Sequence, residues 1–289
     1  MTMNLNTNHI YPRIRMLIPS LTKTEKKVAE YFLTPRSMKK DVTINHVSEL
    51  LSVSPALIVK LAKKLGYNGF KELKQELLVV ENEKKYSPDQ QLSPNDDCAQ
   101  IVQKVLRNSI NALQEVLSFS NVPNIEQAAK TIVNGKKVTI LAVGGTSIIA
   151  EDFHHKLLRI GIHSYVPKDY HMMIMAASLM TPDDVVLAIS HSGQTIDLLD
   201  AVLEIKKTGA SIITITNNYH SKLTRLSDCS IFSPASPEPI IGKNGTARLV
   251  KLALVDCLYA TIANLSPSKT KETIGKTMNA TARLHSPSE

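Results

Sequence analysis

The chain has 289 residues, 43% of them hydrophobic, and a formal net charge of +8. That length suits one large domain or two ordinary ones. No apolar run approaches the roughly 20 residues of a membrane helix and the N-terminus has no signal-peptide core, so a membrane partner is excluded and a cytoplasmic location expected. Cys98, Cys229 and Cys257 are too scattered for a disulfide frame or a zinc site and read as reduced thiols.

The charge is unevenly placed. Residues 1–86 hold 15 Lys/Arg against 8 Asp/Glu, a net +7, whereas the remainder holds 19 against 18. A basic front third is the electrostatic footprint of a nucleic-acid partner, although a solvated lysine-rich surface has the same composition.

In chain order, Thr24–Leu33 places Val28, Tyr31 and Phe32 on one helical face, and a helix from Ile44 to Leu51 presents Val47, Leu50 and Leu51. Ser54 then suits an N-cap, Pro55 the first helical position and Gly66 the residue after a helix end. Read as a helix-turn-helix beginning at Ile44, the small residues Ser48 and Ser52 fall where the helices touch and the chain turns. Val47, Leu51, Val53, Ile58 and Leu61 fall at its buried positions. The second helix would enter the major groove with Ser54, Ala56, Leu57, Lys60 and Lys64 outward. The lysines neutralise phosphates, and the short side chains meet base edges. A three-helix protein-interaction bundle is the alternative.

Tyr86–Asp97 is polar with two prolines and reads as a linker. A helix near Ala99–Leu117 follows, and then strands at Val138–Val143, Ser164–Val166, Val185–Ile189, Ser211–Thr216 and Cys229–Phe232. Helices near Ile148–Ile160, Ile196–Thr208 and Lys222–Leu226 alternate with them, and Gly245–Asn264 is helical. The fold class is therefore multidomain: an all-α helix-turn-helix domain, then an α/β domain with a parallel sheet flanked by helices. The expected divisions are 1–86 for the DNA-binding domain, 87–120 for a linker and connecting helix, 121–265 for the α/β domain and 266–289 for a partly helical tail.

Two turns at strand ends carry chemistry. Gly144-Gly145-Thr146-Ser147 permits close backbone approach and supplies hydroxyls, without the full G-x-G-x-x-G of a dinucleotide site. Ser190-His191-Ser192-Gly193-Gln194-Thr195 combines three hydroxyls with free N–H groups at a helix start, which suits a phosphate. Ordinary helix capping would explain one such turn more easily than two.

Ser190–Thr195 together with Gly144–Ser147 resembles the sugar isomerase (SIS) domain. The stretch Ser54–Lys60 through Leu65–Phe70 resembles the head of the RpiR family of bacterial transcriptional regulators. The two resemblances cover about residues 15–265 in the family's order. They imply a regulator of sugar or amino-sugar catabolism that binds double-stranded operator DNA, with a phosphosugar in the SIS domain modulating that binding. The implied effector contacts are Gly145, Thr146, Ser147, Ser190, His191, Ser192, Gly193 and Thr195. The resemblance also implies a homodimer or higher homo-oligomer through the SIS domain and no cofactor. Within it, a sialic-acid utilisation regulator is one expectation, with an amino-sugar phosphate such as glucosamine 6-phosphate as effector. The chain departs from the family's usual residues at Ala142 (glycine), Thr146 (serine), Leu57 (threonine) and Lys60 (arginine), which affects operator reading most, since an arginine fork is lost.

A phosphosugar isomerase is the competing reading, and it needs a base beside the carbonyl. Glu151, His154, His155, His171 and His191 are the candidates, but none is paired with a carboxylate at both turns, so no catalytic residue is expected. No set of side chains has metal-ligand spacing. Loops Pro167–His171 and Pro234–Lys243 would choose the sugar, with Lys243 and Arg248 as candidate anion contacts.

Overall fold

A computed structural model describes residues 10–34, 37–83, 92–118, 121–234 and 245–282. The chain divides into two compact units, one of residues 1–120 with 218–220 and 234–247, the other of 121–217 with 221–233 and 248–289.

The first unit is helical: α1 (Ile10–Leu17), a short 3-10 turn, α2 (Lys23–Leu33), α3 (Ile44–Leu51), α4 (Pro55–Lys64), α5 (Phe70–Glu83) and α6 (Cys98–Ser118). Local signals set the boundaries. Thr22 and Glu25 form a reciprocal capping box at the start of α2. Thr43 caps α3 and Ser54 caps α4, each hydroxyl accepting the N–H three residues on. The end of α4 is closed by a Schellman motif: Tyr67 N–H donates to Ala62 O at 3.0 Å and Gly66 N–H to Lys63 O at 3.0 Å. Between α3 and α4, Ser52 adopts left-handed φ 51°, Val53 N–H donates to Ser48 O at 3.0 Å, and the Ser48 hydroxyl donates to Val53 O. Ser48 thus ties the turn from both sides.

The core of this unit gathers Ile10, Ile14, Val28, Phe32, Val47, Leu51, Ile58, Leu61, Leu73 and Leu77. Two expectations need correction. Leu50 is exposed, because the face set by Val47 and Leu51 leaves it on the rim. Leu57 is half-buried against the core: it lies one turn before Leu61 and two before Leu65, on the same stripe.

The second unit runs α7 (Val122–Asn134), β1 (Val138–Ala142), a 3-10 turn (Gly144–Thr146), α8 (Ser147–Arg159), β2 (Ser164–Tyr165), α9 (Tyr170–Ser178), β3 (Val185–Ile189), α10 (Ile196–Thr208), β4 (Ser211–Thr216), α11 (Lys222–Leu226), β5 (Cys229–Phe232), α12 (Gly245–Leu265) and α13 (Pro267–Ala282). All five strands are parallel, in the order β2-β1-β3-β4-β5. The strands β1 and β3 are buried at every position, as a parallel sheet covered on both faces requires. Leu141, Val186, Ala188 and Ile212 pack against α9 and α10, while α8 lies against β1 and β2.

The expected strands are present, two of them one residue shorter because Val143 and Val166 lie beyond the ladder. Tyr170 and His171, expected in a loop, open α9 instead; Asp169 caps it by accepting the Met172 N–H at 2.9 Å. Expectations for Tyr86–Gln91, residues 235–243 and the tail beyond 282 lie outside the described residues.

Candidate functional site

Strand order places the two turns side by side. After β1 the chain moves through α8 to β2 on one side, and after β3 it moves through α10 to β4 on the other. The gap between β1 and β3 is therefore the point where the winding reverses and ligands enter open parallel sheets. Ala142 and Ile189, the last residues of the two strands, are direct partners in the ladder. Turn Gly144–Ser147 and turn Ser190–Thr195 consequently leave the sheet from neighbouring positions.

The second turn is built around Ser190. Its buried hydroxyl accepts the Gly193 N–H at 3.0 Å and lies 3.3 Å from the Thr195 hydroxyl. Gly193 has φ 62°, and a Cβ there would lie 2.3 Å from Ser221 Oγ, so glycine is required by both backbone and neighbour. Ser192 Oγ accepts the Gln194 N–H at 3.2 Å from an exposed position. The turn is anchored from β4: Asn217 N–H donates to His191 O at 3.1 Å and Thr216 Oγ1 to the same carbonyl at 3.3 Å.

In the first turn, the Thr146 hydroxyl donates to Val143 O at 3.1 Å and reaches Ile189 O at 3.2 Å, linking the ends of β1 and β3. The Ser147 hydroxyl approaches Ala142 O at 3.5 Å, and Gly145 is exposed. Simple capping does not account for these residues. Thr146 and Thr195 occupy the N-cap positions of α8 and α10, yet neither side chain makes a cap hydrogen bond. The helix starts present N–H groups and a positive dipole end at the switch point.

Sequence reasoning missed Lys251. It sits on α12 between Val250 and Leu254, on the face that also buries Leu258, and is 1% exposed. Its Nζ lies 3.2 Å from His191 Nδ1. An ammonium donates and cannot accept, so Nδ1 is the acceptor and Nε2–H remains the ring's donor. Burial, joined by the Lys251 charge, pushes His191 down to about 4. The ring is therefore neutral near pH 7, and the positive charge beside the second turn belongs to Lys251. The available signal was a lysine in line with apolar residues at i−4, i+3, i+4 and i+7, namely Ala247, Leu254, Val255 and Leu258. Arg248, proposed instead, is exposed, and Lys243 lies outside the described residues.

The candidate bases are dispersed. Glu151 pairs with Lys168, and His154 Nδ1 lies 2.7 Å from the Ser164 hydroxyl. His155 and His171 are exposed on α8 and α9.

On α4, Ser54, Ala56 and Lys60 are exposed. Lys64 is committed inward: its Nζ lies 2.6 Å from Oε1 of the buried Glu25. Burial acts to raise that carboxyl, but hydrogen bonds from Lys64 and Thr22 outweigh it and hold the group below its usual value. Lys27 donates to Leu51 O at 2.7 Å and Lys74 to Lys40 O and Val42 O at 2.7 Å, so part of the head's basic charge closes the fold itself.

Residues 8–83 match the helix-turn-helix domain of the rpiR family, and residues 131–261 match the SIS domain. The HTH-type transcriptional regulator RpiR of Escherichia coli K12 is 36% identical over 271 residues, covering 92% of this chain and 90% of that protein. The chain belongs to the RpiR family of transcriptional regulators. Among solved structures, the Vibrio vulnificus NanR protein complexed with ManNAc-6P superposes with TM-score 0.61 at 23% identity, covering 96% of this chain and 99% of that one. The sugar isomerase domain of an RpiR transcription factor from Sphaerobacter thermophilus gives TM-score 0.57 at 20% identity, covering 62% and 99%. At these identities the likeness is one of fold. In this regulator the helix-turn-helix match spans α1 to α5, and the SIS match includes β1 to β5.

Proposed function

We propose that this regulator holds a sugar phosphate at the β1/β3 switch point and that occupancy changes its affinity for operator DNA. The observation that carries the reading is the convergence, at that point, of two uncapped helix starts, the Ser190 and Thr195 hydroxyls and the buried Lys251 cation. Such a set suits an anion with several oxygens. Gly145, Thr146, Ser147, Ser190, His191, Ser192, Gly193 and Thr195 form the effector cradle, with Lys251 beside it. Ser54, Ala56 and Lys60 form the DNA-reading set, with Lys60 its phosphate contact, while Leu57 packs toward the core and Lys64 is engaged by Glu25. The effector is an amino-sugar phosphate; one protein of the same fold complexed with ManNAc-6P supports this choice. Glucosamine 6-phosphate belongs to the same class. The protein acts in the cytoplasm, as a homodimer or higher homo-oligomer through the SIS unit, by holding the sugar phosphate and not transforming it.

The two sites are coupled by linkage: an effector that alters how paired heads are carried changes their fit to two half-sites. Thermal shift against glucosamine 6-phosphate, ManNAc-6P and inorganic phosphate tests the first step, since a tight ligand raises stability by mass action. Ser192→Ala should abolish the shift and the DNA response while leaving ligand-free duplex affinity intact. The reading fails if duplex affinity stays constant across millimolar sugar phosphate while the protein binds it. Turnover of aldose or ketose phosphates above the buffer rate would establish the isomerase instead.

A further inference from the structure

The carboxyl end of the sheet carries a row of polar side chains beyond the phosphate cradle. Ile189, Ile215 and Ile231 are neighbours across β3, β4 and β5. Two residues on, where side chains return to the same face, stand His191, Asn217 and Ser233. The ladder reaches this row: Asn217 N–H donates to His191 O at 3.1 Å and Ser233 N–H to Thr216 O at 2.9 Å. The face is the one turned to α7 and α12. Cys229, two residues before Ile231, donates its thiol to Asn124 O of α7, and Lys251 of α12 reaches His191. Ser233 is wholly buried. Among the described residues, neither its hydroxyl nor the enclosed Asn217 Oδ1 has a hydrogen-bond partner. Buried polar groups left unpaired cost free energy, so two on neighbouring strands beside a ligand site call for a partner that arrives with the ligand.

We propose that Asn217 and Ser233 read an acetamido group on the effector, Asn217 Oδ1 accepting its N–H and the Ser233 hydroxyl donating to its carbonyl. The inference rests on the sugar-phosphate reading of the Ser190 turn and narrows the effector to an N-acetylated amino-sugar phosphate. An acetamido group carries one donor and one acceptor, the complement of an amide oxygen and a hydroxyl. A bare sugar hydroxyl puts both roles on one atom, whereas the two protein groups stand on separate strands about 4.8 Å apart. A free amine is an ammonium near pH 7 and calls for a carboxylate. The row has none, and the buried Lys251 cation beside His191 repels a second positive charge. Asn217 is half-buried and no hydrogen bond ties its Oδ1, so the amide is able to turn toward an arriving ligand.

The test is calorimetry on the full chain with N-acetylglucosamine 6-phosphate, ManNAc-6P, glucosamine 6-phosphate and glucose 6-phosphate. The better of the two N-acetylated ligands should bind at least about tenfold tighter than the other two, as one or two hydrogen bonds allow. In Ser233→Ala and in Asn217→Ala that ratio should fall toward one. Ser233→Ala removes a hydroxyl without a partner and should keep its melting temperature, so a lost preference in a folded variant is a lost contact. Equal affinity for all four ligands, or a preference that survives both substitutions, would overturn the proposal and leave the phosphate site standing. Binding of none of the four would overturn both.

Discussion

Replacing Gly193 with alanine imposes two separable costs. The left-handed backbone, φ 62°, costs an L-residue about 1–2 kcal/mol. The new Cβ would also lie 2.3 Å from Ser221 Oγ, 2.5 Å from Ser221 Cβ and 3.2 Å from Thr216 Oγ1. Ser221 has little freedom to yield, because it is buried and its hydroxyl caps α11 by accepting the Thr224 N–H at 3.1 Å. Overpacking of this kind adds about 1–3 kcal/mol, for a total of about 2–5 kcal/mol. Gly144 supplies the control: its φ is 64°, but nothing lies within 4 Å of a Cβ there. Gly144→Ala should therefore cost the backbone share alone, about 1–2 kcal/mol. Urea unfolding of the full chain measures both. Repeating Gly193→Ala in a Ser221→Gly background should remove most of its excess over Gly144→Ala, as a double-mutant cycle between touching residues requires. Equal costs at the two glycines, or an excess that persists without the Ser221 side chain, would refute the steric argument.

His191 gives a pH signature. Its folded value of about 4 lies below the ordinary 6.5, so between those values the unfolded chain takes a proton that the folded chain refuses. Its contribution is present above pH 6.5 and lost as pH falls toward 4, by up to about 3 kcal/mol relative to His191→Gln; a pH-independent difference between the two proteins would contradict it. Lys251→Met should narrow that window and weaken sugar-phosphate binding, read by calorimetry at pH 7. Lys60→Ala should lower the slope of duplex affinity against salt by about one. Lys64→Ala should change that slope less and destabilise the head by about 1–3 kcal/mol, because Glu25 loses the ammonium that offsets its burial; equal slope changes would remove the distinction.

Much of this molecule was legible before the structure. The strand runs 185–189, 211–216 and 229–232 and the helices 196–208 and 222–226 were readable to the residue, because apolar runs alternate with turn residues and caps. The pairing of turns 144–147 and 190–195 was legible only as likeness, since the adjacency of β1 and β3 is a property of strand order. Lys251 escaped because a lysine in a periodic helix is ordinarily solvated, and only tertiary packing shows its face to be covered. Leu57 was set outward by groove logic, while its i+4 relation to Leu61 placed it on the core stripe. Helix α9 was hidden by its composition: Tyr170–Ser178 is apolar almost all round, so no polar face marks its period.

The strands β1, β3 and β4 are joined at five consecutive positions on each side of β3 and are covered on both faces. Amides in such a ladder are among the last in a protein to exchange with solvent, because they open only when the whole unit does. Whatever anion the turns hold, the floor beneath them is too stiff to bend in reporting it. The helices that begin at the turns are buried against this sheet in their turn, α8 through Ile149, Phe153 and Leu157 and α10 through Leu198, Val202 and Ile205. The turns between strand and helix are thus held from both ends, and their N–H groups are positioned by the fold before any anion arrives.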